Sequence, residues 1–241
     1  MSAYYRTKGF IFKKTDINES DRIFSVFTED FGRIEITGKA LRKITSKLRA
    51  GIDIFYLSEI EFIQGKNRKT LTSAVKIKKF IELDKDSKKI ETACYVSEIM
   101  DSFIKGEEKD RDFFIFLEEF LNNAFFKKRI LNQQLVFQYF FWNFLSAQGY
   151  HLQVHNCAVC QGKLNPDNIY FSGKEGGIIC KNCARDLKEA ERINSDIAKI
   201  LRLVLNKDWH TISRLKIGAA SQNLLESIFE NAIHAFSPAH S

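Results

Sequence analysis

The first eighty residues alternate apolar and polar side chains with a period of two, the spacing of a strand with one buried face. In "RIFSVF", Ile23 and Phe27 stand opposite Arg22, Phe24 and Val26, and in "GRIEITG", Ile34 and Ile36 stand opposite Arg33, Glu35 and Thr37. "EIEFI" sets Ile60 and Phe62 against Glu59 and Glu61, and "AVKIKKF" sets Val75 and Ile77 against Lys76 and Lys78. With "TKGFIFKK" near the start, this makes about five strands separated by polar breaks at 16–20, 29–32 and 65–68. Five short strands with no helix among them predict a small closed barrel, which leaves no sheet edge unpaired.

Near residue 85 the period lengthens to three and four, the spacing of one helical face. Val96, Ile99, Met100 and Phe103 predict a helix over 88–105, and Phe113, Phe116, Leu117, Phe120 and Leu121 predict one over 110–128. Leu131, Leu135, Tyr139, Trp142 and Leu145 predict a third over 130–148, apolar on most sides and therefore central and buried. Two more are expected over 194–206 and 221–236. The reading is an α+β, multidomain chain. A five-stranded OB-fold β-barrel occupies 1–82, and an all-helical domain occupies 83–241, with a four-cysteine zinc site inserted at about 155–186.

Composition adds little beyond a globular class: 44% hydrophobic, 28% charged, with 22 Phe to build an aromatic core. There is no run of 18 apolar residues, so no membrane-spanning helix is expected. Residues 1–30 are charged throughout and lack the apolar stretch of a secretory signal, which favours a cytoplasmic location. Charge changes the picture more. Residues 1–80 carry 17 Lys+Arg against nine Asp+Glu, while the remainder carries 20 against 21. The whole excess of +7 thus lies on the predicted barrel. Its confinement there points to a partner with a negative surface, of which nucleic acid is the commonest.

Four of the five cysteines form two Cys-x-x-Cys pairs, Cys157 with Cys160 and Cys180 with Cys183. The spacing Cys-x2-Cys-x19-Cys-x2-Cys falls in the range of structural zinc sites. Two residues between thiolates make a turn that offers both sulfurs to one ion, and the longer interval suits a hairpin that brings in the second pair. Four thiolates close the tetrahedron and leave no position for water or substrate, so one structural Zn²⁺ is expected, and not a catalytic one. Such clustering in a reducing compartment favours a metal over disulfides. His151 and His155 precede the first pair but are not needed to complete it. Cys94 reads as a small core residue on a helix.

The stretch "GKALRKITSKLR", over 38–49, holds Lys39, Arg42, Lys43, Lys47 and Arg49 with no acid. Residues 66–79 add Lys66, Arg68, Lys69, Lys76, Lys78 and Lys79. If Val75 and Ile77 face inward, Lys76 and Lys78 project together from the barrel. A loop and a strand of one charge on a small barrel match the oligonucleotide groove of an OB-fold. Tyr4, Tyr5, Phe31, Phe55 and Tyr56 are the aromatics available for base stacking.

Catalytic motifs are not found: no phosphate-binding Gly-x4-Gly-Lys-Ser/Thr, no His-Glu-x-x-His, no Gly-x-Ser-x-Gly, and no deaminase His-x-Glu. The Lys-x-Asp-Gly nucleophile motif of NAD-dependent DNA ligases, which also join a barrel to a four-cysteine zinc site, is missing. Asp16, Glu19 and Asp21 read as a charged turn. The residues alone favour a non-enzymatic nucleic-acid-binding protein, and leave open a zinc-containing RNA-binding or transcription-associated module and an unrecognised nucleic-acid enzyme.

"NESDRIFSVFTEDFGRIEITGKALRKITSK", with Asp21 and Arg22, Gly32 and Arg33, and the run Lys39, Arg42, Lys43, Ser46, Lys47, resembles the N-terminal barrel of the RecO family of bacterial recombination mediators. "CAVC…YFSGKEGGIICKNC", with Phe171, Ser172, Gly176 and Gly177, resembles the zinc-containing form of that family. Two positions depart from the family pattern: Ala40 replaces a glycine of the basic loop, and Ile54 replaces a proline before Phe55. The resemblance implies a non-enzymatic protein of DNA repair by homologous recombination, in the RecFOR pathway. It implies binding of single- and double-stranded DNA and annealing of complementary strands. It also implies work with RecR and the C-terminal tail of the single-stranded-DNA-binding protein to load RecA. For an acidic, apolar tail of that kind, the surroundings of Lys199, Arg202 and Lys207 are candidates.

Overall fold

The computed structural model describes residues 3–43, 46–81, 87–126 and 132–236. The chain divides into two compact units, Met1–Lys128 and Arg129–Ser241. The domain boundary expected at 82/83 and the helical position expected at Leu131 lie outside the described residues.

In the first unit, β1 (Ala3–Asp16), β2 (Arg22–Thr28), β3 (Gly32–Gly38), β4 (Tyr56–Gln64) and β5 (Lys69–Lys79) close into a barrel in the order β1-β2-β3-β5-β4. Neighbours are antiparallel except at the seam, where β3 and β5 pair in parallel over Ile36–Lys69 and Thr37–Thr70. This is the expected five-stranded OB-like architecture. Its interior is filled by Ile11, Phe24, Val26, Ile34, Ile36, Leu41, Ile52, Ile60, Phe62 and Leu71. Each fully buried side chain of this size contributes about 1.5–3 kcal/mol. Of the pairings read from alternation, Ile34/Ile36 and Ile60/Phe62 are indeed the inward sets.

Strand β2 is buried on both faces. Phe24 and Val26 point into the barrel, and Phe27 points outward against Phe113 and Phe114, with ring centroids 5.1 and 6.3 Å away. Phe10 and Phe80 likewise meet outside the barrel, 6.0 Å apart. An outer face this apolar must be covered. Accordingly α1 (Ser87–Phe103) and α2 (Arg111–Phe126) belong to the barrel's unit and not to the later helices.

Strand β5 corrects one sequence expectation. Val75 and Ile77 are exposed, at 58% and 48%. The register against β4 skips Thr72, between the pairs Glu61–Ser73 and Phe62–Leu71, and skips Ile77 between Ser58–Lys76 and Leu57–Lys78. Each β-bulge inserts an unpaired residue and inverts the alternation beyond it. Leu71 faces inward and so does Ala74, so the apolar residues at 75 and 77 fall on the solvent side.

The second unit is built on α3 (Gln133–Ala147), capped by Asn132, whose side chain accepts from the amides of Gln134 and Leu135. Every residue from Leu135 to Leu145 is buried, as the all-round apolar pattern requires. Its two polar interruptions are satisfied in place. Gln138 accepts from Trp142 Nε1 at 2.7 Å and donates to the Leu225 carbonyl at 3.1 Å. Asn143 donates to the Tyr139 and Val204 carbonyls at 2.9 and 2.8 Å. Around it lie α5 (Ser195–Leu205), the single turn α6 (Trp209–Ile212) and α7 (Ala219–Phe236). Between α3 and α5 comes a three-stranded sheet in the order β7-β6-β8. It is formed by β6 (Ile169–Ser172), β7 (Gly177–Cys180) and β8 (Glu191–Ile193), with the turn α4 (Lys181–Ala184) after β7.

Candidate metal centre and nucleic-acid interface

Cys157, Cys160, Cys180 and Cys183 come together with all four Sγ atoms within 4.8 Å of one another. The first pair lies on a tight turn. The Cys157 amide donates to the Gly162 carbonyl at 2.9 Å, and the Gln161 amide donates to the Cys157 carbonyl at 2.9 Å. The turn carries Gln161 through a left-handed φ of 59°. The second pair lies where β7 ends, with Cys180 as the N-cap of α4 and Cys183 on it. The β6–β7 hairpin joins them, as the 19-residue interval anticipated.

The donor set fits a tetrahedral thiolate-bound ion. Metal–sulfur bonds of about 2.3 Å place sulfurs roughly 3.8 Å apart, and Cys160 and Cys180 Sγ are 3.9 Å apart. The local electrostatics also favour an anion at Cys157. Its burial opposes ionisation, but backbone N–H groups of Cys160, Cys180 and Val159 outweigh it and bring the thiol down to about 6. One of these is the Cys180 amide, 3.3 Å from the sulfur. Cys183 is pushed up to about 12, first by its hydrogen bond with Cys180, the behaviour of a thiol sharing a site with another before a cation arrives. These four residues can therefore hold a metal ion. His151 and His155 lie outside the cluster, and Cys94 is exposed on α1, not in the core.

The other candidate surface follows the β3–β5 seam. The segment after β3 runs along β5, where the 3-10 turn Lys47–Ala50 leads into Gly51. Gly51 lies so close to β5 that an added Cβ would sit 1.9 Å from the Ala74 carbonyl oxygen. Lys39, Lys43, Lys47 and Arg49 on this segment are exposed, as are Lys66 and Arg68 on the β4–β5 turn. None of these six has an ion pair among the described residues. At the start of the seam a groove of about 520 Å³ is lined by Arg33, Lys66, Asn67, Arg68 and Lys69, with Glu35 and Glu107 on its walls.

The remaining basic candidates are engaged. Arg42 donates to the Asn18 carbonyl at 2.9 Å and lies 3.6 Å from Asp16. Lys69 pairs with Glu107. Lys76 lies over the Tyr56 ring at 5.4 Å. Lys78 bonds Asn122 and lies 4.3 Å over the Phe126 ring, facing α2. Among the aromatics, Phe55 is buried, and Tyr5 and Phe31 pack with Phe62 at the barrel core. Tyr4 is 58% exposed. In the second unit, Arg202 donates to the Val154 carbonyl at 3.0 Å and Lys199 pairs with Asp196 at 3.0 Å.

Comparison with known proteins agrees with both halves. Residues 1–80 match the family profile "Recombination protein O N terminal", and residues 85–234 match "Recombination protein O C terminal". The chain belongs to the RecO family. A DNA repair protein RecO of Dehalococcoides mccartyi is 31% identical over 226 residues, covering 92% of this chain and 86% of its own. Those of Caldicellulosiruptor bescii and Caldanaerobacter subterraneus are 28% and 26% identical, covering 92% and 89% of this chain and 89% and 85% of theirs. Membership places the protein in DNA recombination and repair. Among the described residues no helix is long and apolar enough to cross a membrane.

The positions that carried the RecO resemblance have structural roles. Gly32 takes φ +63°, and an added Cβ there would lie 2.0 Å from the Glu108 carbonyl oxygen. Arg33 donates to the carbonyls of Asp101 and Ile104 at 2.9 and 2.8 Å and to the Asp101 carboxylate at 2.6 Å, closing the C-terminus of α1. Asp21 accepts from the Ala40 amide at 2.8 Å, and Arg22 bonds Asp16 at 2.6 Å. The β1–β2 turn thus clamps the basic loop. The Ala40 amide holds the Asp21 carboxyl below its usual range. Ala40 keeps a glycine-like φ of 53°, so the loop takes the path a glycine would favour. In the second unit Phe171 packs edge-on to Trp142 at 5.7 Å. At Gly177 an added Cβ would lie 2.2 Å from the Gln153 carbonyl oxygen.

Proposed function

We propose that this protein is a non-enzymatic recombination mediator of the RecFOR pathway, acting in the bacterial cytoplasm at the nucleoid. It binds single- and double-stranded DNA along the β3–β5 seam and anneals complementary strands. With RecR and the tail of the single-stranded-DNA-binding protein, it loads RecA. Its one zinc ion is structural. The observation that carries this reading is the convergence, on one seam of the barrel, of cations with no ion pair among the described residues: Lys39, Lys43, Lys47 and Arg49 from one segment and Lys66 and Arg68 from another. Cations so placed neutralise two repelling backbones and raise the local concentration of both strands, which is all that annealing requires.

The test is annealing of complementary oligonucleotides, bare and coated with the cognate single-strand binder, without ATP or Mg²⁺. The wild type should accelerate annealing, and a Lys39/Lys43/Lys66/Arg68 charge-removal variant should not. Binding confined to RNA, with no annealing, would favour an RNA-binding module instead.

A further inference from the structure

One cation in the groove at the seam is held by a carboxylate on the groove's own wall. Lys69, at the first position of β5, pairs with Glu107, which comes from the link between α1 and α2. The Lys69 side chain is only 13% exposed, whereas that of Glu107 is 55% exposed. The carboxylate therefore covers the solvent side of the ammonium, the side from which any other anion would approach. The link is seated on the barrel just beyond this point: the Glu108 backbone lies against Gly32 and Lys109 reaches Asp30 at 3.4 Å. Just before it, Gly106 takes φ +98° with nothing within 4 Å of where a Cβ would stand, and the Glu107 side chain is the exposed member of the pair.

We propose that Glu107 holds a phosphate position at Lys69 when no nucleic acid is bound, and that a DNA backbone enters this part of the seam by displacing it. The inference rests on the seam being the DNA-binding face. Exchange of a carboxylate for a phosphodiester of equal charge adds no net neutralisation at Lys69. The wild-type groove therefore gains affinity from Lys66 and Arg68 but not from Lys69. Removing the Glu107 charge frees one further cation.

The experiment measures binding of a fluorescein-labelled oligothymidylate to the full chain by anisotropy across a salt series. Each phosphate contact on a single strand steepens the log–log salt dependence by about 0.7. Glu107→Gln should therefore steepen it by that amount and tighten binding about fivefold at about 0.1 M salt, with the gain fading toward about 1 M. In a Lys69→Gln background the same substitution should have no effect. Glu108→Gln removes the same formal charge one residue later and should leave the slope unchanged. An unchanged slope in Glu107→Gln overturns the proposal, as does an equal gain from Glu108→Gln or in the Lys69→Gln background. Lys66→Gln with Arg68→Gln separates the two levels. If that pair leaves binding intact, the seam reading itself falls. If it weakens binding while Glu107→Gln fails to strengthen it, only the role of Glu107 falls.

Discussion

The seam sorts the basic residues into free and engaged ones, and the two sets should respond differently to charge removal. Lys39, Lys43 and Lys47 are exposed and have no ion pair among the described residues. Lys76 and Lys78 are held over aromatic rings, Lys78 also by Asn122. If each free lysine contacts one phosphate, the triple variant Lys39→Gln/Lys43→Gln/Lys47→Gln should flatten the salt dependence of single-strand binding by about 2. At about 0.1 M salt that corresponds to roughly a 10²-fold loss of affinity. Lys76→Gln/Lys78→Gln should leave the slope unchanged, although losing the contact with Phe126 will lower stability by about 0.5–2 kcal/mol. Fluorescence anisotropy across a salt series reads both numbers, and circular dichroism confirms that the variants are folded. Equal slope changes in the two variants would show that only net charge matters, and the geometric sorting would be refuted.

Four other outcomes are expected. Cys157→Ser removes one of four thiolates from a site whose apparent zinc energy is about 10–16 kcal/mol; it should cost about 3 kcal/mol of metal affinity, read by chelator competition, and lower the melting temperature of the second unit. Because the Cys157 thiol lies at about 6, zinc binding should release one proton more below that pH than above it, measurable by calorimetry in buffers of different ionisation enthalpy. Arg33→Met leaves two carbonyls without their donor, while Asp101 keeps Lys13, and should destabilise the barrel unit by about 1–3 kcal/mol, seen in urea unfolding. Burial pushes the Asp101 carboxyl up, but hydrogen bonds from Lys13 and Arg33 outweigh it and hold it below its usual value. Its stabilisation is therefore complete above about pH 3.9, is lost as pH falls through the folded value, and should be missing from the acid-unfolding curve of Asp101→Asn.

What was legible in the chain was whatever repeats or closes on itself. The strands and helices were readable from period, because a half-buried strand and an amphipathic helix impose it. The metal ligands were readable from spacing, because four sulfurs around one ion demand two tight turns. Less legible was anything set by a contact distant in sequence. Nothing near Glu107 signals that it pairs with Lys69 across the groove. Arg42 reads like its basic neighbours until Asn18 and Asp16 are seen to hold it. The outer faces of Phe10 and Phe27 look like excess hydrophobicity until α2 is seen to cover them.

Strand β5 shows how such a blind spot reaches function. Alternation through 71–79 placed Val75 and Ile77 inside and made Lys76 and Lys78 a projecting basic pair. The skipped residue at Thr72 reverses that phase over 73–76 and the one at Ile77 reverses it back, and a bulge has no marker in sequence unless a glycine makes it. Lys76 then lies over Tyr56, Lys78 lies on the outer face that α2 covers, and both ammonium groups sit against rings. The cations without such a partner among the described residues are those where no alternation applies, on the loop after β3 and the turn before β5, and the proposed DNA contacts fall there. Deleting Thr72 removes only the unpaired residue: Ser73 keeps its place opposite Glu61 and Ala74 opposite Ile60, so Val75 stays outside and Lys76 and Lys78 keep their ring contacts. The deletion should therefore leave the affinity for an oligonucleotide and its salt dependence unchanged, and a deletion variant that gained DNA affinity would contradict the assignment of the bulge.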